Sequence, residues 1–498
     1  MARTVIREPS RAVSEFRLLP GLTAAETAGD RIYLRTRLAK IEAGSGFLAL
    51  NIPLTSAAMQ AVSGVQMGIE LARLGGVAFI FASQPIEKQA EIIRRIKGHK
   101  AGFVKPRTVT PDLLLGDAAQ LASQEGFSTF PVVDSENRLL GLLTRNDFAA
   151  RRHGNLPVRD RMIPRLRLVV GRDVTGLKQA NEILMDSHQS VLPIVDGAEH
   201  LLYLVFRKDI ENHLDNPSQV VDSKKRLIAG AAINTHDFRE RIPALVKAEV
   251  DVLAIDSSDG HSTFQGEALA WARGMFPFLP VVAGNIVTAE GFRFLAESGA
   301  SAVKIGMGGG SICITQEQKG TGRGLGTAIM EVSGARDEWF QRTGNYLPLI
   351  ADGGIVTAKD MVIALALGAD SVMLGRYFAR LEESPTEKIV INNRVMKPYW
   401  GEGSPRAREW SSLRYSQAAF AEGVEGYVEF AGTLKDNLAE TLAILRSSFA
   451  SAGAADIGQL HQNAVLEIVS GLSIREGQPH DIILPGQSTS YSGKSWGV

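Results

Sequence analysis

Eight short runs along this chain are almost wholly apolar, and nearly every one ends in, or runs into, glycine, serine, asparagine or aspartate. They are Phe47–Leu50, Val77–Ala82, Leu227–Ile233, Val250–Asp256, Pro280–Ile286, Ala302–Gly306, Pro348–Asp352 and Ser371–Leu374. A short, continuous apolar run bounded by turn residues reads as a parallel strand buried on both faces. Longer stretches with apolar residues at helical spacing lie between them. Ala289–Ser298 and Ala358–Leu367 are examples, each followed by a glycine suited to a helix C-terminus. Eight strand–helix units predict an α/β protein built on a (β/α)₈ barrel. An open, doubly wound sheet is the alternative. The polar residues after nearly every strand favour the barrel, where strand ends feed a ring of active-site loops.

The gap between the second and third of these strands is too long for a loop, so an inserted domain is predicted over about 104–220. The barrel then comprises about 1–103 and 221–498. The insert contains a repeat. Phe130-Pro131-Val132-Val133-Asp134 returns as Leu192-Pro193-Ile194-Val195-Asp196, Leu139-Leu140 as Leu201-Leu202, and Asp147 as Asp209. The offset is 62 residues each time (193 − 131, 196 − 134, 209 − 147). Two β–β–α copies, about 104–160 and 161–220, are each too small to bury their own apolar face and are expected to pack together.

Composition narrows the function. The 498 residues carry 54 basic and 54 acidic side chains, which argues against a bulk electrostatic hold on nucleic acid or acidic membrane. One cysteine excludes an internal disulfide framework and a thiolate zinc cluster. The nine histidines show no metal-ligand spacing. The start, MARTVIREPS, has no signal-peptide core, and no stretch is long and apolar enough to span a bilayer. The expectation is a soluble cytoplasmic protein.

The single cysteine falls on the most glycine-rich part of the chain. Gly306-Met307-Gly308-Gly309-Gly310-Ser311-Ile312-Cys313-Ile314-Thr315 is followed by Gly320-Thr321-Gly322-Arg323-Gly324-Leu325-Gly326, so eight of the 21 residues from 306 to 326 are glycine. Glycine at that density costs backbone entropy, and close approach to a ligand is the return. A thiol at a strand end, flanked by Ser311 and Thr315, reads as a nucleophile rather than a buried apolar residue. Asp352-Gly353-Gly354 offers a carboxylate for two ribose hydroxyls and amides for a phosphate. Gly375-Arg376 follows the last strand, where barrels commonly grip phosphate. Tyr399-Trp400-Gly401-Glu402-Gly403-Ser404 adds another such turn. Asp256-Ser257-Ser258 suits a second ribose, and Asp259 before Gly260 reads as a turn residue.

These segments resemble inosine 5′-monophosphate (IMP) dehydrogenase, from Leu18-Leu19-Pro20-Gly21 to Glu476-Gly477. The repeat resembles a tandem CBS pair, a module whose copies often bind adenine nucleotides. The first copy's Gly141-Leu142-Leu143-Thr144-Arg145-Asn146-Asp147 matches its ribose-contacting end. The second has Tyr203 and Phe206 where glycine and threonine would stand. The resemblance implies oxidation of IMP to xanthosine monophosphate (XMP) with NAD⁺ and water, the committed step towards guanine nucleotides. Cys313 would add to C2 of the purine, hydride would leave to NAD⁺, and a covalent thioimidate would be hydrolysed beside Thr315. Asp352 would hold the IMP ribose. Ser311, Gly354, Gly375, Arg376 and Tyr399 would surround its phosphate, with Gly401 and Glu402 adjoining. Met59 and Asn285 would lie near base or ribose, and Glu422 at the purine edge. Asp256, Ser257, Ser258, Gly306 and Gly308 would face NAD⁺, with His236 and Phe264 stacking on its adenine. Carbonyls of Gly308, Gly310 and Cys313, with Glu476, Gly477 and Gln478 of a neighbouring chain, would hold K⁺ in a homotetramer.

Arg414-Tyr415 matches the family's flap dipeptide, on a segment of about 401–430 that would enter the vacated dinucleotide site. Arginine is almost never neutral at pH 7, so it can activate water only when desolvated. A relay through Thr315 to a nearby acid is the alternative. Ala57 and Arg376 stand where some relatives have serines, and the guanidinium could compensate at the phosphate. Two other functions stay open: GMP reductase, an NADPH-dependent relative without the dipeptide, and a non-catalytic sensor binding an adenine or guanine nucleotide at the CBS pair. The tail 485–498 suggests no role.

Overall fold

The computed structural model describes residues 4–27, 29–41, 46–99, 103–104, 106–125, 128–147, 153–174, 176–208, 210–211, 216–408 and 420–479. Eight parallel strands close into a barrel. They are β1 Leu54–Ser56, β2 Val77–Ile80, β3 Gly230–Ile233, β4 Val252–Ile255, β5 Val281–Ile286, β6 Ala302–Ile305, β7 Leu349–Asp352 and β8 Ser371–Leu374. Each pairs in parallel with its sequence neighbours, and β8 closes on β1 through Val372↔Leu54, Met373↔Thr55 and Leu374↔Ser56. Phe79, Ile228, Ala232, Val252, Val282, Ala302, Ile350 and Met373 belong to one buried cluster. A larger cluster lies between the strands and the surrounding helices, including Ile233, Leu253, Val303, Phe292 and Leu365. The strands are mostly apolar because both of their faces are covered, with Thr55, Ser56, Lys304 and Ser371 as buried polar exceptions.

One strand assignment is corrected. Phe47–Leu50 is not a barrel strand. It pairs antiparallel with Thr36–Lys40, and this hairpin closes the amino-terminal mouth. Thr36 Oγ1 donates to the Asp370 carbonyl at 2.6 Å, and the Lys40 amide donates to the Ser301 carbonyl at 2.8 Å. Leu38 and Leu50 join the interior cluster from below. The true first strand, Leu54-Thr55-Ser56, has only three residues, two of them hydroxylic, so an apolar-run search passes over it. Thr55 and Ser56 are fully buried, with Thr55 Oγ1 on the Val372 carbonyl and Ser56 Oγ against Ser63 Oγ.

The predicted helices form as Ala289–Glu297 and Ala358–Ala366. Thr288 and Thr357 cap their N-termini, accepting from Gly291 N and Asp360 N. Between β2 and β3 lie two hairpins at the repeat offset. One is Phe130–Val133 with Leu139–Leu143, the other Val191–Val195 with Leu201–Phe206. Val133, Leu139 and Leu142 share a buried cluster with Val195, Leu201 and Leu204. Their turns interlock through Leu139 N to Glu199 O and Leu201 N to Asn137 O. Tyr203, one of the divergent positions, stacks edge-on against Phe103 at 5.8 Å. Asp209 lies outside the described residues. Among them, no helix is long and apolar enough to cross a membrane.

Candidate active site

The carboxyl ends of the barrel strands surround one cavity. Its wall includes Met59 after β1, Asp256, Ser257 and Ser258 after β4, Asn285 on β5, Gly306, Gly308, Gly310, Ser311, Cys313 and Thr315 after β6, and Asp352 and Gly354 from β7. Gly375 and Arg376 join after β8, as do Tyr399, Gly401, Glu402 and Glu422. Parallel strands deliver the groups from Met59 to Arg376 to one face because every barrel strand points the same way, while Tyr399 comes from the strand Arg394–Trp400, which pairs antiparallel with Glu425–Glu429 outside the barrel. His236 and Phe264 do not reach the wall. His236 is exposed beyond β3, and Phe264 is 66% exposed at the start of the helix Thr263–Met275. Glu476 ends the exposed helix Gly471–Glu476, Gly477 and Gln478 follow it, and none of the three lines this chain's cavity. Arg414 and Tyr415 lie outside the described residues.

The thiol sits on a tight turn, where the Cys313 amide donates to the Gly310 carbonyl at 3.0 Å. Cys313 is half-buried, and its Sγ lies 3.2 Å from Thr315 Oγ1. Thr315 Oγ1 in turn donates to Glu422 Oε2 at 3.1 Å. Backbone pairing delivers that carboxylate: Ile314 N donates to Glu422 O at 3.1 Å and Val424 N to Ile312 O at 2.9 Å, flanking a Cys313↔Gly423 bridge. The expected purine-edge acid and the threonine of the hydrolytic step are therefore one hydrogen-bonded unit.

Asp352 faces the cavity from β7 and accepts from Asn285 Nδ2 and from Lys304 Nζ, both at 3.0 Å. Lys304 also donates to Asn285 Oδ1. Lys304 comes from the middle of β6, is 4% exposed and lines the cavity, yet was missed in the sequence. A lysine in an otherwise apolar strand was the available signal, since a buried ammonium requires an acidic partner. Gln265, fully buried, holds both backbone groups of Gly284 and so fixes the approach to Asn285.

At the proposed phosphate end, a Cβ added to Gly375 would meet Tyr399 Oη at 2.7 Å and Met59 Sδ at 3.2 Å, so glycine is what lets these groups converge. Burial, with the charge of Asp352, pushes the Tyr399 phenol well above its ordinary value and keeps its O–H as a donor. Glu402 lines the cavity, but its carboxylate is engaged by protein groups: it accepts from the Gln60 amide at 2.7 Å and from Ser83 Oγ. Gln60 also accepts from Trp400 Nε1 at 3.0 Å, and the Arg406 guanidinium lies 4.1 Å from the Trp400 ring centroid. Glu402 thus clasps the loop after β1 to the root of the expected flap.

Among the described residues no group of three or more histidine, cysteine or acidic side chains could hold a metal ion. A monovalent ion on backbone carbonyls is a separate case. The Gly308–Cys313 turn would offer such an ion only neutral carbonyl oxygens, of which that of Gly310 already accepts from the Cys313 amide.

A parallel barrel with a thiol, a hydroxyl–carboxylate pair and glycine turns at its strand ends is an α/β-barrel enzyme whose chemistry sits on the loops of its carboxyl face. The family model described as "IMP dehydrogenase / GMP reductase domain" matches residues 12–480, and the chain belongs to that family. Inosine-5′-monophosphate dehydrogenase of Tritrichomonas foetus is 46% identical over 98% of this chain and 99% of the relative. The Escherichia coli K12 enzyme of the same name is 38% identical over 89% and 92%. Among solved structures, a cysteine-to-alanine variant of GMP reductase from Trypanosoma brucei, in complex with guanosine 5′-monophosphate, superposes with a TM-score of 0.77. It is 27% identical and covers 96% of this chain and 98% of that one.

Proposed function

We propose that this chain is an IMP dehydrogenase, oxidising IMP to XMP with NAD⁺ and water and releasing NADH and a proton. The observation that carries this reading is the Cys313–Thr315–Glu422 line of 3.2 and 3.1 Å contacts facing Asp352 across one cavity. The Cys313 thiolate bonds to C2 of the hypoxanthine, and hydride leaves C2 for NAD⁺. Water then attacks the same carbon, giving up a proton, and the C–S bond breaks to restore the thiol and release XMP. Splitting the reaction at a covalent stage makes each barrier smaller than direct hydride loss. Thr315 and Glu422 take the water's proton in the second stage, with Arg414 as the other candidate base. Asp352, oriented by Lys304 and Asn285, accepts the ribose hydroxyls. Ser311, Gly354, Gly375, Arg376 and Tyr399 take the phosphate, and Asp256, Ser257 and Ser258 meet the nicotinamide ribose. K⁺ on the Gly308, Gly310 and Cys313 carbonyls would keep the thiol-bearing turn in shape, with Glu476, Gly477 and Gln478 of a neighbour in a tetramer completing its shell. An adenine or guanine nucleotide at the tandem repeat over 104–220 belongs to the same reading.

IMP with NAD⁺ should raise absorbance at 340 nm. No rise, with consumption of NADPH in the presence of GMP, would replace this reading by GMP reductase, which the Trypanosoma brucei likeness keeps as the second one.

A further inference from the structure

The short helix Thr315–Lys319 begins with the hydroxyl beside the thiol and ends with a lysine. Residues four apart lie on one face of a helix. Both ends of this one turn towards the same atom: Thr315 Oγ1 is 3.1 Å from Glu422 Oε2, and Lys319 Nζ is 3.8 Å from it. The Glu422 side chain is 10% exposed and that of Lys319 is 26% exposed. An enclosed carboxylate is costly without a counter-charge, and Lys319 supplies one from the partly wet side. Lys319 is itself held in place, because Asp259 Oδ2 lies 3.4 Å from its ammonium. Asp259 belongs to the loop after β4 that also carries Asp256, Ser257 and Ser258, the wall proposed for the dinucleotide. The Asp259 amide donates to Ser257 Oγ within that loop, and its carboxylate turns to Lys319.

We propose that Lys319 is a positioning residue for the hydrolytic half-reaction. Its ammonium, braced by Asp259, holds the Glu422 carboxylate as the acceptor for the Thr315 hydroxyl. It takes no part in hydride transfer, since it is not part of the cavity wall and its contacts run to Glu422 and Asp259. The proposal rests on the dehydrogenase reading, because only that reaction has a hydrolytic stage separable from hydride loss.

The test is rapid mixing of the full-length enzyme with IMP and NAD⁺, following NADH at 340 nm through the first turnover and the steady state. Lys319→Met should keep the first-turnover NADH formation within about twofold while steady-state turnover falls about tenfold, a fraction of a general base's usual contribution. Lys319→Arg should recover most of the loss. Mass spectrometry of enzyme quenched in the steady state should find more adduct on Cys313 in Lys319→Met than in the unaltered enzyme. In the double variant with Glu422→Gln, adding Lys319→Met should slow turnover no further than Glu422→Gln alone, because the lysine acts through that carboxylate. Lys319→Gln serves as the second neutral variant if Lys319→Met does not fold. Equal losses in first turnover and steady state, unchanged turnover, or multiplying effects in the double variant would each overturn the lysine's role. Absence of NADH from the unaltered enzyme would refute the dehydrogenase reading itself, so the two failures are distinguishable.

Discussion

Replacing Gly306 by alanine probes whether the two halves of the site are built against each other. Gly306 directly follows β6 with φ +134°, and an added Cβ would lie 1.9 Å from the carbonyl oxygen of Asp352. Ordinary contact begins at 3.4 Å, so the two strand ends must part by about 1.5 Å. One of those ends carries the Cys313 turn and the other the Asp352 carboxylate. A misplacement near 1 Å can cost about a hundredfold in rate, so kcat/KM should fall by roughly 10²-fold or more. That corresponds to about 2.7 kcal/mol or more of lost transition-state stabilisation. Backbone strain in this region adds a stability loss of about 1–3 kcal/mol. Gly344→Ala is the control. It sits at φ +66° after the helix Leu325–Thr343 with nothing within 4 Å of an added Cβ, so it carries strain without a collision. The assay is NADH formation at 340 nm under varied IMP, alongside thermal unfolding of both variants. Loss of activity under about threefold in Gly306→Ala, or equal losses in both variants, would refute the argument.

Cys313→Ala should form no adduct and no NADH, and turnover in that variant would exclude covalent catalysis. Glu422→Gln should spare the first turnover of NADH but slow the steady state by about 10²-fold or more, which pre-steady-state traces would separate. Leu38→Ala removes a fully buried side chain of the hairpin that closes the barrel's lower mouth. It should cost about 2–5 kcal/mol, seen in denaturant unfolding, with activity per folded molecule unchanged. Burial alone would raise the Glu249 carboxyl, but hydrogen bonds from Arg226 and Lys224 prevail and hold it at about 2, against 4.5 in the free side chain. Its contribution to stability is therefore present above pH 4.5 and is lost as pH falls from 4.5 towards 2. Glu249→Gln should flatten the fall in thermal midpoint over that window, and an unchanged slope would rule the pair out.

Much of the site was legible because the barrel is repetitive. Each parallel strand must be apolar on both faces, and each must end at the same rim, so a polar residue just past an apolar run is already located. Asp256, Cys313, Asp352 and Arg376 were placed by that logic, and all line the cavity. The logic failed at the first strand because burial there is satisfied by hydroxyl-to-carbonyl bonds rather than apolar character, while the half-buried Phe47–Leu50 looked more like a strand than Leu54–Ser56 did. His236 and Phe264 were assigned by resemblance at the rim's outer edge, where no strand register constrains position.

By itself, the chain's order of apolar runs, glycines and one cysteine determined the closed barrel and the loop that carries the thiol. Local pattern is sufficient for that, because strand burial and turn conformation are properties of consecutive residues. Only the tertiary structure decided which distant groups meet. Glu422 reaches Thr315 across 107 residues of sequence through backbone pairing beside Cys313. Lys304 turns inward to Asp352, and the Glu402 carboxylate closes on Gln60 and Ser83. Periodicity says which face a side chain takes, not what waits opposite it. For charged groups the partner is what matters, since burial is tolerable only where a counter-charge or donor has been brought alongside.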